Sequence, residues 1–146
     1  MKGYDYFYEH DPWYCYPGSD VLRNKLEITD GELLDKKEAS ITAIRMMELD
    51  SDPVVGNFDL DHLRSIHRRI FSDVYEWAGD LRTVDISKGN PFCPCQYIEP
   101  QASELFGRLH EDNLLRELDE DTFVEKVAYY LGEINVIHPF REGNGR

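Results

Sequence analysis

At 146 residues the chain has the size of one domain, and 41% apolar residues are enough to bury a core. With 29 Asp plus Glu against 16 Lys plus Arg, the formal charge is -13, a field that repels nucleic acid and anionic membrane surfaces, so neither is expected as a partner. Any nucleotide site must therefore build its own positive potential from arginine, backbone amides and a divalent cation.

The chain opens on MKGYDYFYEHDPWYCY, which lacks the apolar run of an export signal. Residues 1–20 show neither helix nor strand period and read as an irregular aromatic arm. Tyr4, Tyr6, Phe7, Trp13 and Tyr16 carry apolar area suited to lying across the helices that follow. Cys15, Cys93 and Cys95 are too few, and odd in number, for a disulfide scaffold, which points to a reducing, cytoplasmic compartment.

Thr29 and Glu32 have capping-box spacing, and the spacing over Gly31 to Leu49 predicts a first helix, with Leu33 or Leu34, Ile41, Ile44 or Arg45, and Met47 or Glu48 inward. Ser51-Asp52-Pro53 ends it. Asp59 can cap a second helix, in which Leu60, Leu63, Ile66 or His67, Ile70 and Phe71 recur on one side, extended by Val74, Tyr75 and Trp77 and ending near Gly79. His62 and His67 lie five apart, on different helical faces, and read as surface or capping histidines.

From 81 to 98 the pattern turns strand-like. Val84 and Ile86 alternate, Lys88-Gly89-Asn90-Pro91 reads as a turn, and Pro91 and Pro94 keep the return segment extended, so a short β-hairpin flap is expected. A third helix is predicted from Gln101 to Leu118, and a fourth from Thr122 to Ile137 behind the acidic run Asp119-Glu120-Asp121. Phe123, Val127, Tyr130 or Leu131, and Ile134 make the fourth the expected central helix. The fold class is all-α with that flap.

His138-Pro139-Phe140-Arg141-Glu142-Gly143-Asn144-Gly145-Arg146 carries the chemistry. Pro139 stops the helix and Phe140 can pin the loop, which fixes His138 above whatever the loop encloses. Gly143 and Gly145 let successive amides around Asn144 turn inward as an anion nest. Glu142 is the loop's acid and can hold Mg2+ shared with phosphate oxygens, Arg146 can neutralise developing charge, and His138 can take a proton from an incoming hydroxyl. A base, a metal ligand, a nest and a cation are the minimum for transferring a phosphorus-centred group. Lys88 can meet phosphate or target, or be a solvated turn lysine. Cys93 and Cys95 fall short of a four-ligand metal site and read as plain flap residues.

This segment resembles the motif of Fic domains, His-Pro-Phe-x-Asp/Glu-Gly-Asn-Gly-Arg, at every defined position. YPGSDVLRNKL, ITDGEL and IHRRIF-SDVYEWAGDLRTVDISKG are similar to the upstream segments of that family, so the resemblance spans nearly all of 1–146. It implies a helical domain that transfers AMP from Mg-ATP to a Tyr, Thr or Ser hydroxyl of a target protein. His138 would deprotonate that hydroxyl, Glu142 would bind Mg2+, and the turn Gly143, Asn144, Gly145, Arg146 would cradle the diphosphate. The target segment would pair with the 82–98 flap through its main chain.

The family motif continues to a second Arg beyond Arg146, so the C-terminal part of the domain is expected to be missing. The family's inhibitory pattern, Ser/Thr-x-x-x-Glu-Gly/Asn, meets only Ser72 to Glu76 followed by Trp77, inside the predicted second helix. Restraint by a separate small antitoxin protein is therefore expected. Transfer of another phosphate-containing group, and a catalytically silent peptide-binding module, are the competing readings.

Overall fold

The structure is a computed structural model that describes residues 11–146 and, for the backbone alone, Phe7 and Tyr8. The expectations about Tyr4 and Tyr6 lie outside the described residues. Its elements run β1 (Phe7–Tyr8), α1 (Gly31–Ser51), α2 (Leu60–Phe71), β2 (Ile86–Lys88), β3 (Asn90–Pro91), α3 (Ile98–Glu111) and α4 (Glu120–Ile137). The helical class holds. The chain divides into two compact units, one of His10–Val55 with Leu63–Asp80, the other of Met1–Glu9, Gly56–His62 and Leu81–Arg146.

In the first unit α1 is capped by Asp30, whose carboxylate accepts the Leu33 N–H at 2.9 Å. The cap is one residue later than the Thr29 expected. Its buried stripe is Leu34, Glu38 and Thr42, while Leu33, Ile44 and Met47 stay exposed. Two of the three buried residues are polar, so hydrophobic periodicity could not select this face. Both have partners inside: Thr42 donates to the Glu38 carbonyl at 2.8 Å, and the Tyr75 hydroxyl donates to the Glu38 carboxylate.

Asp59 caps α2 as expected, accepting the His62 N–H at 2.9 Å, but the helix stops at Phe71 rather than near Gly79. Residues 72–79 turn back on it. His67, expected at the surface, is 4% exposed and its Nδ1 accepts the Gly79 N–H at 2.9 Å, while Arg64 Nε donates to the Gly79 carbonyl at 2.8 Å. Gly79 has φ +83°, and a Cβ there would lie 2.8 Å from the Arg64 carbonyl oxygen, so only glycine fits. The turn stacks His67 on Phe71 and Tyr75 on Trp77, with centroids 4.5 and 4.4 Å apart. Tyr14 closes on Trp77 edge-on at 5.7 Å, whereas Trp13 is 81% exposed and gives no cover.

In the second unit strand pairing is limited to five residues of the expected 81–98 flap. Ile86–Lys88 pairs antiparallel with Asn90–Pro91, and Phe7–Tyr8 pairs antiparallel with β2, giving the order β1-β2-β3. The return segment is not extended to Ile98: Cys95–Tyr97 is a 3-10 turn that leads into α3. The Asp85 carboxylate favours that turn by accepting the Cys95 N–H at 2.7 Å.

α3 starts at Ile98, with Pro100 in its first turn where no N–H is needed. It ends at Glu111 because Asn113, Leu114, Leu115 and Glu117 take positive φ, so it does not reach Leu118. Asp119 caps α4 by accepting the Thr122 N–H at 2.9 Å. Asp112 binds α4 beside α3, accepting from Lys126 at 2.9 Å and from the Tyr130 hydroxyl at 2.7 Å. Only Tyr130 and Ile137 of α4 are buried, and Val124, Leu131 and Val136 are exposed, so among the described residues it is not the best-buried helix. Its apolar residues lie on several faces, and their spacing alone does not choose one.

Candidate active site

α4 ends on His138. Its N–H still bonds the Ile134 carbonyl at 2.9 Å, but its own backbone is left-handed, with φ 51° and ψ 63°, and Pro139 follows where no helical N–H can continue. That region costs a non-glycine residue about 1–2 kcal/mol, so the surroundings must impose it. Arg82 does much of this. Its Nε donates to the His138 carbonyl at 2.7 Å and its Nη2 to the Ile137 carbonyl at 3.1 Å, while its backbone N–H donates to the Pro139 carbonyl at 2.9 Å. The remaining donors reach the flap segment, to the Val84 carbonyl at 2.8 Å and to the Cys93 carbonyl.

The imidazole is buried, with 7% of the residue exposed. Phe92 stacks on it with centroids 3.8 Å apart and planes within 9°. Nδ1 lies 3.3 Å from the Asn135 carbonyl, and assigning the proton to Nδ1 makes that contact a hydrogen bond and leaves the Nε2 lone pair available. Burial pushes the pKa down to about 4; the positive charges of Arg82 and Lys88 push the same way, and the Asn135 carbonyl opposes them. At neutral pH His138 is therefore an uncharged base.

The loop beyond is built from its own polar groups. Asn144 spans it, its Oδ1 accepting the Phe140 N–H at 2.8 Å and its Nδ2 donating to the Phe140 carbonyl at 2.7 Å. Phe140 is 3% exposed, an anchor as expected, and Arg141 is 2% exposed. Gly143 takes φ +82°, which lets the chain reverse, and its N–H meets the Glu142 Oε1 at 3.0 Å. The Arg146 N–H closes the turn on the Gly143 carbonyl at 3.3 Å, and Arg146 is exposed. A Cβ on Gly145 would meet nothing within 4 Å, so the space over the turn is open.

His138, Glu142, Gly143, Asn144, Gly145 and Arg146 thus share one loop at one helix end, and exposed Lys88 closes β2 near enough for its charge to act on His138. Arg82 escaped the sequence reading. The available signal was its parity: Arg82, Val84 and Ile86 alternate with exposed Thr83 and Asp85, so the arginine sits on the inward side of an apolar alternation. Burial raises the thiol pKa of both Cys93 and Cys95, which disfavours the thiolate form.

Among the described residues no group of three or more His, Cys, Asp or Glu can hold a metal. A single carboxylate such as Glu142 does suit a cation that takes most of its remaining ligands from water and phosphate, as Mg2+ does. No helix of the described chain is long and apolar enough to cross a membrane.

The family profile described as Fic/DOC family matches residues 57–146. The chain is 44% identical over 136 residues to the "Probable protein adenylyltransferase Fic" of Escherichia coli strain K12, covering 92% of this chain and 66% of that one. It is 44% identical over 138 residues to the protein adenylyltransferase VbhT of Bartonella schoenbuchensis, covering 94% of this chain and 29% of that one. Among solved structures it is similar to the N-terminal Fic domain of a VirB-translocated Bep effector from Bartonella quintana with bound ADP, at 31% identity and a TM-score of 0.85. That match covers 91% of this chain and 70% of the solved one. The chain therefore spans from under a third to about two thirds of the length of these two sequence relatives.

Proposed function

The chain belongs to the Fic/DOC family, and from that premise we propose that it acts as a protein adenylyltransferase, moving AMP from Mg-ATP to a Tyr, Thr or Ser hydroxyl of a target protein. The observation that carries this is His138, a buried and uncharged imidazole fixed in a left-handed turn at the mouth of a glycine loop. The ADP bound to the related Bartonella quintana domain supports a nucleotide as the guest of that loop.

In the proposed reaction the acceptor hydroxyl gives its proton to His138 Nε2 and its oxygen bonds the α-phosphorus. The bond from that phosphorus to the β-phosphate oxygen breaks and pyrophosphate leaves. Amides of Gly143 and Gly145 would hold the diphosphate over the open space at Gly145, with Asn144 and Arg146 beside it and Lys88 within reach of phosphate or target. Glu142 would hold Mg2+, which when bound neutralises charge on the phosphate oxygens.

The target segment would add to the 82–98 flap by main-chain pairing. One edge of β2 is already paired with Phe7–Tyr8, and on its other side β3 ends in Pro91, which has no N–H to give. We propose that the target takes the place of Phe7–Tyr8. Control by a separate small inhibitory protein belongs to the same reading, as does work in a cytoplasm, its own or that of a cell entered by translocation as for the Bep relative.

Incubation with ATP labelled at the α- or the γ-phosphate tests the activity. α-Label on target protein is the expected result. γ-Label would assign phosphorylation, and peptide binding with no label at all would assign a silent module. Co-purification of a small neighbouring gene product that suppresses labelling is the expected sign of the inhibitor.

A further inference from the structure

Resting on the reading of His138 as the base, we infer that Arg82 is a positioning residue that sets the angle of His138 and locks it to the flap. Its guanidinium is fully buried, and the carboxylate of Asp85 stands 3.9 Å away on a largely exposed side chain. Burying a cation is strongly unfavourable unless other groups stabilise it. Here those groups include main-chain carbonyls from two places. Ile137 and His138 present the negative end of the α4 dipole, and Val84 and Cys93 lie on either side of β2 and β3.

One rigid fork therefore spans 56 residues of sequence, from Arg82 to His138. Its four carbonyl partners cannot move independently while the fork is intact. The same two regions meet again where Phe92, between β3 and Cys93, stacks on the His138 ring. A target paired to the flap is thereby placed in register with the base, although Arg82 itself need not touch the target. Lysine keeps the charge but offers no planar fork, so it cannot hold four carbonyls in this arrangement.

The test uses the intact protein. Arg82→Lys should remain folded and bind ATP within about threefold of wild type, while kcat for α-label transfer falls about a hundredfold, the loss typical of slight misplacement of reacting groups. Millimolar guanidinium ion added to Arg82→Ala should restore part of that kcat. An Arg82→Lys kcat within about threefold of wild type, with no guanidinium rescue, would overturn the inference.

If the variants do not fold, the wild-type protein answers by NMR. The Arg82 Nε–H signal should be sharp, slow to exchange with water and shifted when a peptide pairs with the flap; a rapidly exchanging signal, or one indifferent to the peptide, would overturn the inference. A wild-type protein that transfers no label would instead defeat the adenylyltransferase reading, and the NMR result would still decide the role of Arg82.

Discussion

The turn after α2 and the turn after α4 solve the same problem by opposite means. Both end a helix and reverse the chain. Residues 72–79 do so with stacked rings, His67 on Phe71 and Tyr75 on Trp77, and with a glycine at positive φ where no side chain fits. Residues 138–146 do so with a histidine forced into the region that glycine would have taken without strain, held by one arginine and one asparagine through directional bonds to main chain. Ring stacking spreads its stabilisation over many contacts and carries no reactive group. Directional bonds concentrate it, and the difference predicts that stability and activity respond to different substitutions in the two places.

The largest expected effect is on activity. His138→Ala should lower transfer by about a thousandfold or more, since general-base catalysis contributes roughly 10²–10⁴-fold, with ATP affinity little changed. Labelled transfer set beside calorimetric ATP binding checks this, and equal loss of binding would make His138 a phosphate ligand instead. In the other turn Phe71→Ala should act on stability. Phe71 is 0% exposed, and its truncation should cost about 3–5 kcal/mol, read from urea unfolding. A loss under about 1 kcal/mol would show that the stack is not the support described.

Smaller effects separate two glycines within the loop. Gly143→Ala places a Cβ at φ +82° and should cost about 1 kcal/mol in stability, while Gly145→Ala meets open space and should leave stability unchanged but weaken ATP binding. Thermal shifts with and without ATP distinguish them. Smallest is the effect of removing residues 1–9. If β1 holds the edge that a target needs, its loss should lower the KM for target a few-fold and leave kcat alone.

The helices, the helix-stopping prolines and the 138–146 loop were legible in the sequence because each is written in local spacing: a cap, a period, a nine-residue run. The buried face of α1 was not, since two of its three buried residues, Glu38 and Thr42, are polar, and Glu38 takes its partner, the Tyr75 hydroxyl, from 37 residues on. Helix α2 was drawn too long because Val74, Tyr75 and Trp77 continue an apolar pattern whichever way the backbone turns. The exchange at Gly79, with His67 accepting its N–H, leaves no mark on periodicity. Arg82 was hidden for a related reason: its partners are backbone carbonyls, which every residue has, so nothing in the identity of Val84, Cys93, Ile137 or His138 announces them.

The ionisation of His138 ties the strained turn to both stability and function. Its folded pKa lies below the ordinary value, so the unfolded chain takes up the proton first on acidification. The stability contributed by the neutral ring is complete above about pH 6.5 and is lost progressively as pH falls toward 4. The acid limb of kcat/KM should accordingly lie well below neutrality and the profile should be flat between pH 6 and 8. The most direct measurement is an NMR titration of the His138 ring in the folded wild-type protein. A midpoint near 4, with Nε2 unprotonated at pH 7, is the result this account predicts. A midpoint near the ordinary 6.5 would mean that the loop does not hold a buried, uncharged base, and would contradict it.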